Sequence, residues 1–188
     1  NFYEKAPSCD GIIGISIGTR ADCLPDDVIE YLSELNTQTN LTVELGLQTI
    51  HNSTLKYINR GYDHNKFCEG FSKLKKRKIR TCLHIINGLP FETEEMMLET
   101  AKEVARLSPE AVKIQMLHII KGTRLEKIYN DRLELLSADE YIDIVVKQLE
   151  YIPANIVIER LTGDAPGDDL YEPQWSRNKT TILNDIDK

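Results

Sequence analysis

Polar side chains of one chemical kind recur at the ends of successive apolar runs in this chain. Thr19, Arg20 and Asp22 follow the first run, and Gln48, Thr49 and His51 follow the second. Asn87 and Gly88 follow the third, Lys121 and Thr123 the fourth, and Arg160, Thr162 and Asp164 the fifth. This mixture of guanidinium, ammonium, amide and hydroxyl groups suits a zwitterionic, hydroxyl-rich ligand and leaves bond-breaking to a cofactor. No HExxH pair and no Ser-His-Asp order accompanies it. Of His51, His64, His84 and His118, only His84 and His118 fall within predicted strands, where a buried, hydrogen-bonded role is expected. A metal site built from protein ligands alone is therefore not expected. The four cysteines, Cys9, Cys23, Cys68 and Cys82, lie too far apart for a zinc knuckle, a redox CxxC or a cluster-binding triplet.

Other charged groups carry two readings each. Glu44 is either a carboxylate with a raised pKa in an interior cavity or the partner of Arg20 or Lys113 across neighbouring strands; pairing is the expectation, since buried charges are matched. Arg160 and Asp164 either pair with each other or face substrate. Lys121 is either a solvated loop lysine or a catalytic base. The basic run 73–78 reads as a helix end complementing the dipole or as a footprint for RNA. Trp175 and Tyr171 are expected to dock the carboxyl-terminal tail instead of stacking a base.

These groups need elements to position them, and the hydrophobic pattern supplies strands alternating with helices. Strands are predicted at about 12–17, 41–48, 81–86, 112–120 and 156–161. Helices are predicted at about 25–35, 53–58, 65–76, 93–107, 124–129 and 137–151. Pro25 suits a first helical turn, Thr93 a cap, and Ser137-Ala138-Asp139-Glu140 a capping box. Such alternation implies a parallel sheet with crossover helices. Side chains alternate faces along a strand. Ile13, Ile15 and Ile17 oppose Gly14, Ser16, Gly18 and Arg20; Val43, Leu45 and Leu47 oppose Glu44, Gly46 and Gln48; Leu83 and Ile85 oppose Cys82, His84, Ile86 and Gly88. One parity is bulky and aliphatic, as helix packing requires. The other is small or polar, whereas a closed eight-stranded barrel fills its interior with branched apolar side chains. The expected fold is therefore α/β, a partial parallel (β/α) barrel of about five strands with outer helices, enclosing a wet interior. Residues 1–165 are assigned to the barrel and 166–188 to a tail on or near it.

Composition is that of a globular chain: 188 residues, 41% hydrophobic, 28% charged, net charge −7. The acidic balance speaks against a general nucleic-acid surface. No apolar run approaches the roughly 20 residues that cross a bilayer, so no membrane association is expected. Without a signal peptide, the thiols are those of a cytoplasmic protein. The missing initiator Met suggests a piece of a longer chain.

Four segments in order, Gly14-Ile15-Ser16-Ile17-Gly18-Thr19-Arg20-Ala21-Asp22, Glu44-Leu45-Gly46-Leu47-Gln48-Thr49, Asn59-Arg60-Gly61 and Ile86-Asn87-Gly88-Leu89-Pro90, resemble consecutive motifs of radical S-adenosylmethionine (SAM) proteins. The groups resembled are the Elongator catalytic subunit, oxygen-independent coproporphyrinogen oxidase and a bacterial Fe–S oxidoreductase subgroup. The last also resembles Arg160-Leu161-Thr162-Gly163-Asp164-Ala165-Pro166.

The resemblance implies the carboxyl-side part of a radical SAM half barrel. In the full protein a [4Fe-4S] cluster would cleave SAM to a 5′-deoxyadenosyl radical, which abstracts hydrogen from an unknown substrate. It implies that Arg20 ends a barrel strand, that Gln48 reaches SAM, that Arg60 approaches the methionyl carboxylate, and that Ile86, Asn87, Gly88, Leu89 and Pro90 lie under the adenine. Ser16 stands where relatives carry a SAM-contacting glutamate and His84 where they carry an aspartate. A glycine and a glutamate of the general adenine motif are replaced by His84 and Phe91, with Glu92 adjacent. Glu44, Lys121, Arg160 and Asp164 are the substrate-side candidates. The cluster's cysteine triplet is absent, so the chain alone is expected to be inactive. A flavodoxin or ferredoxin would supply electrons, and tRNA is one candidate substrate. The competing readings are a non-catalytic RNA- or protein-interaction module and a cofactor-independent barrel lyase using Lys121 or His84.

Overall fold

The computed structural model describes residues 2–5, 9–164 and 167–188; Ala165 and Pro166 of the last motif lie outside the described residues. After a single helical turn, α1 (Phe2–Lys5), the chain alternates β1 (Gly14–Thr19), α2 (Asp26–Gln38), β2 (Asn40–Gln48), α3 (Asn52–Tyr57), α4 (His64–Lys76), β3 (Arg80–Asn87), α5 (Glu94–Leu107) and β4 (Ala111–Met116). It continues through β5 (Ile119–Ile120), α6 (Arg124–Arg132), α7 (Ala138–Tyr151), β6 (Val157–Arg160), β7 (Leu170–Glu172) and α8 (Lys179–Ile186). Five strands form one parallel sheet in the order β1-β2-β3-β4-β6, and β5 pairs antiparallel with β7. This is an α/β partial barrel whose neighbouring strands follow chain order.

Helices α5 and α7 start where the caps predict, while Pro25 takes the N-cap position of α2 instead of its first turn. Thr93 accepts from the Met96 amide, Ser137 and Glu140 form a reciprocal capping box, and Asp63 and Thr123 cap α4 and α6. Each cap satisfies an amide that has no intrahelical partner. The aliphatic parity of the strands is the core. Leu41, Val43, Leu45 and Leu47 of β2 and Leu83 and Ile85 of β3 are at most 2% exposed. They sit beneath α2, α4 and α5 together with Leu32, Phe67, Leu74 and Val104.

Three boundaries differ from the sequence reading. Ile12 and Ile13 lie outside β1 and are 47% and 84% exposed, because the pairing with β2 starts only at Gly14 opposite Asn40. The fourth strand stops at Met116 instead of running to Ile120. Its neighbour β3 ends at Asn87, whose carbonyl takes the Leu117 amide at 2.9 Å, and beyond that point no parallel partner remains. Ile119 and Ile120 turn instead toward β7, so His118 is not a strand residue. The fifth parallel strand is correspondingly short, Val157–Arg160. In the carboxyl-terminal segment, Trp175 donates its indole N–H to the Leu136 carbonyl at 3.0 Å and lies 5.5 Å from the Tyr141 ring, and Ile182 enters the core.

α4 approaches the short 3-10 turn Ala21–Cys23 so closely that a Cβ at Gly70 would lie 2.5 Å from the Ala21 carbonyl oxygen. Glycine-to-alanine changes inside helices ordinarily gain about 0.5–1 kcal/mol. Gly70→Ala is expected to reverse that sign and lose at least about 1 kcal/mol through overpacking. Equilibrium urea unfolding checks this, and an unchanged or raised midpoint would contradict the close approach.

Candidate functional site

The inner parity of the sheet carries a polar network that crosses β1 to β6. Glu44 of β2 accepts from Ser16 Oγ of β1 at 2.6 Å, from His84 Nε2 of β3 at 2.7 Å and from Lys113 Nζ of β4 at 2.6 Å. Gln115 Nε2 reaches His84 Nδ1 at 3.3 Å, and Glu159 of β6 lies 3.7 Å from Lys113 and 3.1 Å from Arg80. Of the readings for Glu44, pairing with Lys113 is what occurs; Arg20 instead grips Asp22 with two nitrogens at 2.9 and 2.6 Å. The Glu44 carboxyl is not raised. Burial is the largest single influence and opposes ionisation, but three hydrogen bonds and the Lys113 charge together outweigh it and bring the pKa to about 2. His84 shifts in the same direction: burial lowers its pKa although Glu44 opposes that. A neutral ring with Nε2–H donating to Glu44 leaves Nδ1 to accept from Gln115.

At the carboxyl end of β2, Gly46, Gln48, Arg60 and Tyr62 converge. Arg60 Nη2 donates to the Gly46 carbonyl at 2.7 Å and to Tyr62 Oη at 2.6 Å, and its guanidinium lies 4.9 Å over the Tyr62 ring, with that of Arg20 at 5.5 Å. The space where a Gly46 side chain would be holds the Gln48 amide and Arg60 Nη2. A bulge between Gly46 and Gln48 puts Gln48 at φ 66°, a left-handed conformation that a glutamine adopts only under constraint. Gln48 Oε1 and Arg60 Nε are buried there without a hydrogen-bond partner. A buried acceptor and a buried guanidinium N–H left unpaired are each costly by themselves, and the two are chemically complementary to an ammonium and a carboxylate.

A cleft of about 920 Å³ opens at the carboxyl ends of β3 and β4, between α3 and α6. Ile86, Leu89 and Pro90 line it together with Tyr57, Asn59, Leu117, Leu125, Ile128, Lys56 and Arg124. Phe91, 67% exposed and at φ 67°, stands edge-on to Tyr57 with centroids 4.9 Å apart. Glu92 turns inward: Thr49 Oγ1 donates to it at 2.5 Å, and burial raises its pKa although Thr49 and Thr54 oppose that. Asn87 and Gly88 face elsewhere. Asn87 is 2% exposed and exchanges amide hydrogen bonds with Gln148 of α7 at 2.8 and 2.9 Å. The Gly88 N–H, at φ 77°, meets Met97 Sδ at 3.1 Å.

The remaining candidates sit apart. Lys121 donates to the Asp168 carbonyl at 2.6 Å, and Arg160 pairs with Asp164 at 3.4 Å while Lys179 also contacts that carboxylate. In the run 73–78, Lys73 is neutralised by Asp26 and Lys75 by Glu110. The exposed remainder, Lys76, Arg77 and Lys78, leads into the amino end of β3, opposite the cleft. The cysteines do not fit a four-iron cluster. Cys82 is buried with its thiol pushed up to about 12, burial raises Cys68, and Cys9 and Cys23 are exposed. Among the described residues no three cysteines gather. Sequence reasoning missed Tyr62, the Thr49–Glu92 bond and the part of Gln115. Parity along the fourth strand, which puts Lys113 and Gln115 on one face, is the signal that would have found the last.

Both shifts at the network have the same sign in stability. The lowered Glu44 pKa contributes stability that is complete above the ordinary carboxylate range and is lost as pH falls from about 4.5 toward about 2. The lowered His84 pKa removes stability as pH falls below the ordinary histidine range of 6.5. Glu44→Gln is expected to destabilise the protein at pH 7 by leaving Lys113 uncompensated, and to flatten the acid limb of a stability–pH profile between about pH 4.5 and 2. Urea midpoints of both proteins across that range test it; parallel acid limbs would refute the assignment.

The family model of the radical SAM superfamily matches residues 4–104, and that of the radical SAM C-terminal domain matches residues 109–188. The chain is 51% identical over 187 residues to YtqA of Bacillus subtilis (strain 168), covering 99% of this chain and 58% of that protein. It is 26% identical over 158 residues to the tRNA uridine(34) acetyltransferase of Methanocaldococcus jannaschii, covering 82% of this chain and 29% of that protein. Among solved structures it is similar to Methanocaldococcus infernus Elp3, with a TM-score of 0.77 at 23% identity over 92% of this chain and 42% of that one. The chain thus spans about three fifths of the length of the YtqA-like relatives it matches. Its parallel half barrel, its strand-end motifs and both family matches agree, and the chain belongs to the radical SAM superfamily.

Proposed function

We propose that this chain is the SAM-binding wall of a radical SAM enzyme whose cluster-binding cysteines lie elsewhere in a longer protein. The observation that carries the reading is the pair of unsatisfied buried groups, Gln48 Oε1 and Arg60 Nε, at a strand end whose neighbour opens into the large cleft. Arg60, held by Gly46 and Tyr62, would meet the methionyl carboxylate, and Gln48 would accept from the ammonium. Ile86, Leu89 and Pro90 would take the adenine against the apolar lining of the cleft, where Leu117, Leu125 and Ile128 exclude water. When bound beside a reduced [4Fe-4S] cluster, SAM supplies the 5′-deoxyadenosyl group that abstracts hydrogen from substrate. Ser16 and His84 would act on the ligand indirectly, as members of the Glu44 network that stiffens the interior.

Arg160, Asp164 and Lys121, at the later strand ends, are the substrate-side groups of this reading, whereas Glu44 is already engaged by Ser16, His84 and Lys113. A relative named for tRNA acetylation supports tRNA as a substrate class, and a flavodoxin or ferredoxin would supply the electron. The lyase reading has less support: His84 is held at both ring nitrogens, and Lys121 is engaged by a carbonyl.

Calorimetric titration of this chain with SAM tests the proposal without requiring turnover. Arg60→Ala and Gln48→Ala are each expected to weaken binding by about tenfold or more, as loss of a charge-assisted hydrogen bond predicts. The longer protein, reconstituted anaerobically with iron and sulfide, should form 5′-deoxyadenosine, whereas this chain should form none. Equal affinity in both variants, or no cysteine triplet in the longer protein, would end the reading.

A further inference from the structure

Outside the cleft, α4 and α5 bring together three side chains of metal-ligating type. His64 Nε2 lies 2.9 Å from Glu103 Oε1 and 3.5 Å from Cys68 Sγ, and the three ligand atoms all fall within 4.8 Å of one another. We propose that His64, Cys68 and Glu103 form a binding site for a thiophilic divalent cation, zinc by its ligand chemistry, which fastens α4 to α5 on the outer face of the barrel.

The spacing supports this. His64 and Cys68 are four residues apart, hence on one face of α4. A tetrahedron drawn around zinc with ordinary zinc–nitrogen and zinc–sulfur bonds has an N···S edge of about 3.6 Å. The observed 3.5 Å meets that without movement of the helix. Glu103 reaches across from α5, only 12% exposed, with Oε1 2.9 Å from His64 Nε2; a metal on Nε2 would replace that hydrogen bond, the ring proton moving to Nδ1. A mixed nitrogen, sulfur and oxygen set on a borderline-soft ion leaves a fourth position for water. Cys68 would release its thiol proton to solvent as the metal–sulfur bond forms.

Arg106 is the competitor. Its Nε and Nη2 hold the two Glu103 oxygens at 2.6 Å each, and Nη2 shares Oε1 with His64. The arginine is 66% exposed and one turn along the same helix, so it can withdraw without unpacking anything. The site is therefore tuned weak by its own neighbour, and removal of Arg106 should strengthen it.

The test titrates this chain, with the exposed Cys9 and Cys23 changed to serine, with cobalt(II) alone and then with zinc(II) as displacer. Expected is thiolate-to-cobalt charge-transfer absorption saturating at one ion per chain and abolished by one equivalent of zinc. Cys68→Ser should remove the absorption, His64→Gln should weaken binding by about tenfold or more, and Arg106→Gln should tighten it. Far-ultraviolet circular dichroism establishes that each variant is folded, and two independent ligand variants guard against the failure of one. Absence of the absorption, its survival in Cys68→Ser, or unchanged affinity in His64→Gln would overturn the proposal.

Discussion

An ionised carboxylate in the middle of a parallel sheet dictates much of this structure. Glu44 sits on the concave face, where water solvates it poorly, and it is tolerated only because β1, β3 and β4 each deliver a donor to it. That requirement constrains register. Side chains alternate faces with period two, so a one-residue slip of β2 would drive Glu44 under the helices and bring Leu45 into the interior. The observed registers set Gly18 and Cys82 opposite Glu44, so Ser16 and His84, each two residues along its strand from that level, reach the carboxylate diagonally, and Lys113 joins them as the register partner of His84. The outer face responds in kind: once the register is set, Val43, Leu45, Leu83 and Ile114 form a continuous aliphatic surface for the helices.

One level above, the same inner face is constructed differently. Gly46 has no side chain, and Gln48 and Arg60 take up the vacated space. The bulge ends the regular ladder, and the left-handed Gln48 turns its amide toward Arg60. Residues at sparsely populated backbone angles persist when their surroundings over-determine them, and here those surroundings are the buried Leu47 on one side and Thr49, bonded to Glu92, on the other. The rigid network below and the strained strand end above belong to one strand, so the position of Gln48 inherits the register fixed at Glu44.

The fold was legible in the sequence where local rules coincide with global ones. Strand parity separated Ile15, Val43 and Leu83 from Ser16, Glu44 and His84, and the caps at Thr93 and Ser137 marked helix starts to the residue. Legibility failed where a distant partner decides. The fourth apolar run looked continuous to Ile120, but β3 gives it no neighbour beyond Asn87, and β7, some 50 residues later, takes the remainder. Asn87 entered the candidate ligand set as part of a motif, whereas its parity is that of Leu83 and Ile85. Its side chain faces outward, and the Gln148 that satisfies it lies 61 residues away. Tyr62 was overlooked because nothing in a lone tyrosine after Arg60-Gly61 announces that two guanidinium groups will stack on it.

Saturation of hydrogen bonds divides the interior into parts with different roles. Around Glu44 the polar groups satisfy one another: the carboxylate has three donors, both histidine nitrogens are engaged, and Lys113 lies between two acids. Such a group gains nothing from a ligand and resists deformation, because breaking any bond strands a partner in low dielectric. At Gln48 and Arg60 the balance is incomplete, with one buried acceptor and one buried donor unspent within a few residues of a large apolar cleft. Native chains rarely retain such groups without a use, because each forfeits a hydrogen bond's worth of stability. The saturated layer is therefore the floor that holds the strands in register, and the unsaturated rim above it is the place proposed for the ligand.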